Sequence, residues 1–125
     1  NKGGIRGVVS SVKSGSFNLV LHDKKKNLLY ILNDRFGLKP MYYFLGGDVT
    51  IFASEMKLIL PFLEELNVDF NGISDFLFYK FIIGDKTFIE NVRLLSRASL
   101  VKIDLSSGKT KCDRYWSIKH HGVPS

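Results

Sequence analysis

Cysteine is all but absent from this 125-residue chain, with Cys112 its single example. One thiol cannot build an internal disulfide framework, so core packing must hold the fold, and the composition suits a reducing, cytoplasmic setting. Cys112 stands between Lys111 and Asp113 in an alternating segment. It reads as an inert position on one face of a strand, with no histidine close in sequence to serve as its base. No apolar run reaches the roughly 18–20 residues a membrane helix needs, which leaves no membrane partner to expect. An initiator methionine and an apolar leader are also missing. Asn1-Lys2-Gly3-Gly4 reads as a cut within a domain rather than a natural start. There is no internal repeat and no low-complexity linker. The length allows one domain at most, large enough to bury a core if its sheet edges are closed.

Acidic residues are outnumbered, and the formal net charge is +6. That balance invites a nucleic-acid reading, but the lysines and arginines are scattered over most of the chain. Only Lys24-Lys25-Lys26 form a run, and they sit between two apolar strands, where a hairpin tip belongs. No aromatic residues flank the run to stack on bases, so a solvated turn accounts for it and no nucleic-acid partner is expected.

Apolar and polar residues alternate from Phe17 to His22, the pattern of a strand. Asp23–Asn27 then turns the chain into Leu28-Leu29-Tyr30-Ile31-Leu32, apolar at every position. So short a turn makes the second strand antiparallel to the first. Apolar on both sides, it must be covered on both sides, which implies a layered core with a second sheet on one side and helices on the other. Gly37 permits a tight Asp34–Pro40 turn, and Pro40 fixes the entry to a strand at Met41–Phe44. Gly46-Gly47-Asp48 reverses the chain into a further strand, Val49–Ala53. Ser54 is placed to cap a helix, with Glu55 in its first turn. Met56, Ile59, Leu60 and Leu63 share one face of that helix, which Pro61 should end or kink near Leu60. A second helix is expected from Asn71–Ser74, burying Ile73, Phe76, Leu77 and Phe81. Strands follow at Thr87–Leu95, Leu100–Ile103 and Thr110–Ser117, the last two joined through Ser106-Ser107-Gly108-Lys109.

Asn33-Asp34-Arg35-Phe36-Gly37-Leu38-Lys39-Pro40, followed by Ala53-Ser54-Glu55-Met56-Lys57, resembles the class II glutamine amidotransferase domain of the asparagine synthetase family. Ser14–Asp23 resembles the family's strand before the Asp-Arg turn. Thr87–Val92 resembles its threonine-containing entry to the late strands, and Tyr115-Trp116 the pair that closes the domain. An Asp-x-x-Gly-x-x-Pro turn also occurs in other class II amidotransferases, including the enzyme that begins purine synthesis. The Ala-Ser-Glu-Met-Lys segment favours the asparagine synthetase type. The resemblance implies part of an N-terminal-nucleophile hydrolase-like αββα sandwich, α+β, mainly antiparallel with two short helices. Residues 1–118 would be a partial amidotransferase domain and 119–125 a tail or the start of a linker.

The family's nucleophile is a first-residue cysteine whose own amino group is the base. Its glutamine-holding and oxyanion residues precede the matched region, so no position here inherits a catalytic, cofactor or metal role. Asp34, Arg35, Gly37, Lys39, Pro40, Ser54 and Glu55 carry over as structural motif residues only. For Asp34 and Arg35, bracing of the turn or a contact to the rest of the enzyme is favoured over catalysis. Three departures stand out. Asn33 replaces the family's usual arginine, Leu95-Ser96-Arg97-Ala98 replaces Leu-Pro-Pro-Gly, and Asn1–Val12 is only loosely helix-like. The adjacent His120 and His121 fall short of the four convergent ligands of a structural metal site.

The resemblance thus implies a fragment of a glutaminase domain whose parent releases ammonia from glutamine for ATP-dependent amide formation. ATP and magnesium are expected only in the parent's synthetase domain, and no nucleotide in this segment. The partners would be the remainder of that enzyme and a second copy of the fragment, which should self-associate through open strand edges. The alternative is a degenerate, non-catalytic module with a structural or interaction role.

Overall fold

In chain order the elements are α1 (Gly4–Ser11), β1 (Asn18–Asp23), β2 (Leu28–Asn33), β3 (Tyr42–Leu45), β4 (Thr50–Ala53), α2 (Phe70–Tyr79), β5 (Val92–Leu94), β6 (Ser99–Asp104) and β7 (Thr110–Arg114). They come from a computed structural model that describes residues 4–118. The class is α+β with antiparallel sheets, as the sequence indicates. Two compact units are present, one formed by the described residues up to Phe36 and from Arg97 onward, the other by Gly37–Ser96.

The first unit is built on a four-stranded sheet in the order β1-β2-β6-β7. Every pairing in it is antiparallel. The β1–β2 hairpin closes where Asp23 Oδ1 accepts the backbone N–H groups of Lys25 and Lys26, both at 3.1 Å. The lysine run is therefore a hairpin tip. Asp104 does the same for the β6–β7 turn, accepting from Ser106 N at 2.9 Å and Ser107 N at 3.2 Å. These two donors hold the Asp104 carboxyl below its ordinary pKa, with the charge of Lys102 adding a little. In β2 the consecutive residues Ile31 and Leu32 are 0% and 1% exposed. Neighbours in a strand point to opposite faces, so both faces of this strand are covered there, as its unbroken apolar run demands.

In the second unit β3 lies between β4 and β5, antiparallel to both. Gly37, at φ +64°, occupies the left-handed region that a side chain resists. The Gly46–Asp48 reversal is closed by Gly46 N donating to Val49 O at 2.8 Å.

Four expectations need correction. No α-helix follows Ser54. Residues Met56–Leu58 and Leu60–Phe62 form two short 3-10 turns, and Glu55, not Ser54, precedes the first, without a side-chain cap. Pro61 supplies the reason, since its ring would strike the carbonyl four residues back in an α-helix and it has no N–H to donate. The expected inward face nevertheless survives, with Ile59 wholly buried and Met56, Leu60 and Leu63 partly so.

The second correction concerns α2. It begins at Phe70, just ahead of the expected Asn71–Ser74, because the Asp69 carboxylate accepts from Asn71 N at 2.9 Å and Gly72 N at 3.2 Å. Its expected apolar face is not buried: Phe76 is 44%, Leu77 64% and Phe81 61% exposed. The helix docks instead through Gly72, where a Cβ would stand 2.1 Å from the carbonyl oxygen of Thr87. Backbone-to-backbone approach at a glycine turns the aromatic side outward. Lys80, at φ +65°, ends the helix and leaves Phe81 beyond it.

The third correction is to the late strands. Within Thr87–Leu95 the strand is confined to Val92–Leu94, with Ile89 in an isolated antiparallel bridge to Val68, and β7 stops at Arg114. The fourth is to the N-terminal segment, where Gly4–Ser11 forms a regular two-turn helix. Asn1–Gly3, the 119–125 tail and the His120–His121 pair lie outside the described residues.

Candidate functional site

The residues that end β2 organise the first unit. Asn33 and Asp34, each 1% exposed, close the apolar run Leu28–Leu32. Buried polar groups must find partners or cost stability, and these two find them from several elements. Asn33 Oδ1 accepts Ser99 N at 2.8 Å, and Asn33 O accepts the Tyr115 hydroxyl at 2.6 Å. Asp34 Oδ1 accepts Phe36 N at 2.9 Å, and Oδ2 accepts Phe17 N at 3.3 Å. The Asp34 backbone donates to Phe17 O and accepts from Ala98 N, both at 3.0 Å. Ala98 O in turn accepts Tyr115 N at 2.9 Å. One dipeptide thus ties the start of β1, the end of β2, the start of β6 and the exit of β7.

Arg35 reaches outward from this hub. Its guanidinium lies 5.7 Å from the centroid of the Trp116 ring, within cation–π range, and Nη2 donates to Val12 O at 3.5 Å. Phe36 meets the edge of the same indole at 5.5 Å. Burial raises the pKa of Tyr115, the Asp34 charge raises it further, and the Arg35 charge works against both.

The remaining motif residues belong to the second unit. Lys39, Pro40 and Ser54 are exposed. Glu55 pairs with Lys57 at 2.7 Å, and a pair so exposed contributes about 0–1 kcal/mol. The second unit has its own buried polar centre at Thr87. Its hydroxyl accepts Ile89 N at 3.1 Å, and its single proton is shared between Val92 O at 2.8 Å and Ile89 O at 2.9 Å. Asp75 bonds Lys86 and Ile83 N, which lowers its pKa.

Sequence reasoning singled out Asp34 and Arg35 but passed over Asn33 as a mere departure, and took Tyr115 only as a family marker. The available signal was an asparagine continuing an otherwise apolar strand, a place where a polar side chain needs a buried partner. Cys112 is exposed on β7. Among the described residues no group of three or more His, Cys, Asp and Glu could hold a metal ion, and no helix is long and apolar enough to cross a membrane. What the assembled groups do chemically is fix backbone. Both described oxygens of Asp34 and the hydroxyl of Thr87 are engaged by main-chain atoms.

Comparison with known proteins shows the family of this chain. Residues 4–116 match the family model of the glutamine amidotransferase domain. The putative asparagine synthetase [glutamine-hydrolyzing] 2 of Methanocaldococcus jannaschii is 30% identical over 109 residues, which cover 84% of this chain and 21% of that protein. Asparagine synthetase [glutamine-hydrolyzing] 2 of Bacillus subtilis is 30% identical over 116 residues, covering 84% of this chain and 15% of the relative. A third relative, asparagine synthetase [glutamine-hydrolyzing] 3 of Bacillus subtilis, is 38% identical over 63 residues. The chain therefore spans about a fifth or less of the length of these relatives. With residues 4–116 matched by its family model, this chain belongs to the glutamine amidotransferase domain family.

Proposed function

We propose that this chain is a segment of the glutaminase domain of an asparagine synthetase-like, glutamine-hydrolysing protein. The whole protein would release ammonia from glutamine and pass it to a carboxylate activated with ATP and magnesium in a separate synthetase domain, in the cytoplasm. The segment would form part of an N-terminal-nucleophile hydrolase-like sandwich and contribute scaffold rather than bond-breaking groups. The observation that carries this reading is the family match over 4–116 beside relatives of which only 15–21% is covered. The engagement of Asp34 and Thr87 by backbone supports the scaffold role.

Ammonia release from glutamine by the purified 125-residue chain is the direct test. No turnover above buffer is expected, whereas saturable turnover abolished by Cys112→Ser would overturn the scaffold assignment. In the product of the complete gene, glutamine-dependent ammonia release is expected.

A second reading, a degenerate non-catalytic module, is favoured by one observation. Ala98 stands where the family's Leu-Pro-Pro-Gly turn has its glycine, and it holds φ +54° there. A folded, full-length gene product that leaves glutamine intact would establish this second reading over the first.

A further inference from the structure

The basic residues that look scattered along the sequence are partly gathered by the fold. Arg6 on α1, Arg35 after β2, Lys102 on β6, and Lys111 and Arg114 on β7 all line one groove of the first unit. Its volume is about 810 Å³, within the roughly 300–1,000 Å³ of small-molecule sites. Tyr30 and Trp116 line the same groove, and Asp113 is its one carboxylate among the described residues.

The β6–β7 register sharpens the point. Lys102 and Lys111 are direct partners across that pair, so their side chains leave the same face side by side. Like charges directly opposite each other destabilise a sheet. Relief is incomplete: Asp113 holds Lys111 Nζ at 3.0 Å in an exposed pair, and Asp104 acts on Lys102 electrostatically. Five cations against one lining carboxylate leave the groove strongly positive, and an anion seated between the two lysines would convert their repulsion into attraction.

We propose that this groove binds a small polyanion that carries an aromatic ring, of the nucleoside polyphosphate class. The phosphates would be held by Lys102, Lys111 and Arg6 through charge-assisted hydrogen bonds. The ring would stack on the Trp116 or Tyr30 surface, with Arg35 already seated beside the indole. The proposal departs from the expectation that this segment holds no nucleotide. It stands apart from the ATP assigned to the parent's synthetase domain and does not depend on that assignment.

Trp116 is the sole tryptophan of the chain, so its fluorescence reports the groove directly. The full 125-residue chain would be titrated at low salt with ATP, with tripolyphosphate (charge alone) and with adenosine (ring alone). ATP is expected to give a saturable change and to bind more tightly than either fragment. Lys102→Gln with Lys111→Gln should weaken ATP at least tenfold, about the loss of one or two charged hydrogen bonds. Lys102→Arg with Lys111→Arg, which keeps the charges, should bind like the parent chain and serves as the check on folding. Lys24→Gln with Lys25→Gln removes equal charge outside the groove lining and should change affinity by no more than about twofold, a screened long-range effect. Any of three results would overturn the proposal: no saturable response to ATP, equal weakening by the Lys24/Lys25 pair, or tighter binding of an oligoglutamate peptide or a single-stranded DNA oligomer than of ATP.

Discussion

The hydroxyl of Tyr115 donates a 2.6 Å hydrogen bond to the carbonyl of Asn33, joining residues 82 positions apart. The bond fastens the chain leaving β7 to the end of β2, the central strand with both faces covered. It lies next to Asp34, whose negative charge discourages the phenol from ionising. The same two elements are held a second time through Ala98, whose N–H reaches Asp34 O and whose carbonyl receives Tyr115 N.

Tyr115→Phe should therefore destabilise the chain by about 0.5–1.5 kcal/mol, the usual contribution of the one hydrogen bond it removes. The pH dependence follows from the raised pKa. A phenol whose folded value exceeds its unfolded value of about 10 gives its full contribution below that value. The contribution is lost as pH rises through the folded value. Urea melts at neutral and alkaline pH should show a steeper alkaline loss in the parent chain than in Tyr115→Phe. Parallel losses would remove Tyr115 from this account.

Ala98 gives an asymmetric prediction. A non-glycine residue in the left-handed region costs roughly 1–2 kcal/mol, and glycine gives back roughly 0.5–1 of that through backbone entropy. With the buried methyl also lost, Ala98→Gly should be neutral or up to about 1 kcal/mol more stable. Ala98→Val should be clearly destabilised, since a β-branched side chain fits that backbone poorly. Equal losses in both variants would show that the methyl contact, not the backbone, governs the site.

Gly72 and Thr87 predict a packing limit in the second unit. Gly72→Ala would drive a methyl into the Thr87 carbonyl and should cost about 1–3 kcal/mol, the usual range for overpacking. Alanine's better helix propensity offsets only about 1 kcal/mol of that. The helix must move outward if the variant is tolerated, and a thermal melt no lower than the parent's would contradict the close approach.

The outward side of α2 predicts association. Phe70, Leu77 and Phe78 are 77%, 64% and 83% exposed, and contiguous apolar surface of this kind is uncommon on monomers. Sedimentation of the chain should show concentration-dependent self-association that Leu77→Ser with Phe78→Ser reduces. A monomer across the whole concentration range would contradict it.

Much of the strand framework was legible locally. Alternation marked β1, the unbroken apolar run marked a central β2, and the Asp23–Asn27 and Ser106–Lys109 turns marked the two hairpins of the first sheet. Each is a short-range effect: side-chain period sets the face, and an aspartate bonds the backbone two or three residues on. The helical content was less legible. At Ser54 the capping signal misled, because Pro61 excludes an α-helix there and Ser54 caps neither 3-10 turn. In α2 the 3.6-residue period correctly announced a helix and wrongly assigned its inner face. A glycine contact carries no hydrophobic signal, yet it decides which side of the helix docks.

The candidate site divides the same way. Asp34 and Arg35 were found because their motif is contiguous. Asn33, Tyr115 and Ala98 gained their roles from partners more than 60 positions away, beyond the reach of any local pattern. The amino-acid order by itself determined the antiparallel strands, their turns and the family, because side-chain period, turn chemistry and contiguous motifs all act within a few residues. Only the tertiary structure decided that Asn33–Asp34 is a hub, that α2 turns its aromatics outward, and that five distant cations share one groove. Those outcomes depend on which surfaces meet, and that is settled when backbone bonds and the covered faces of β2 are satisfied together.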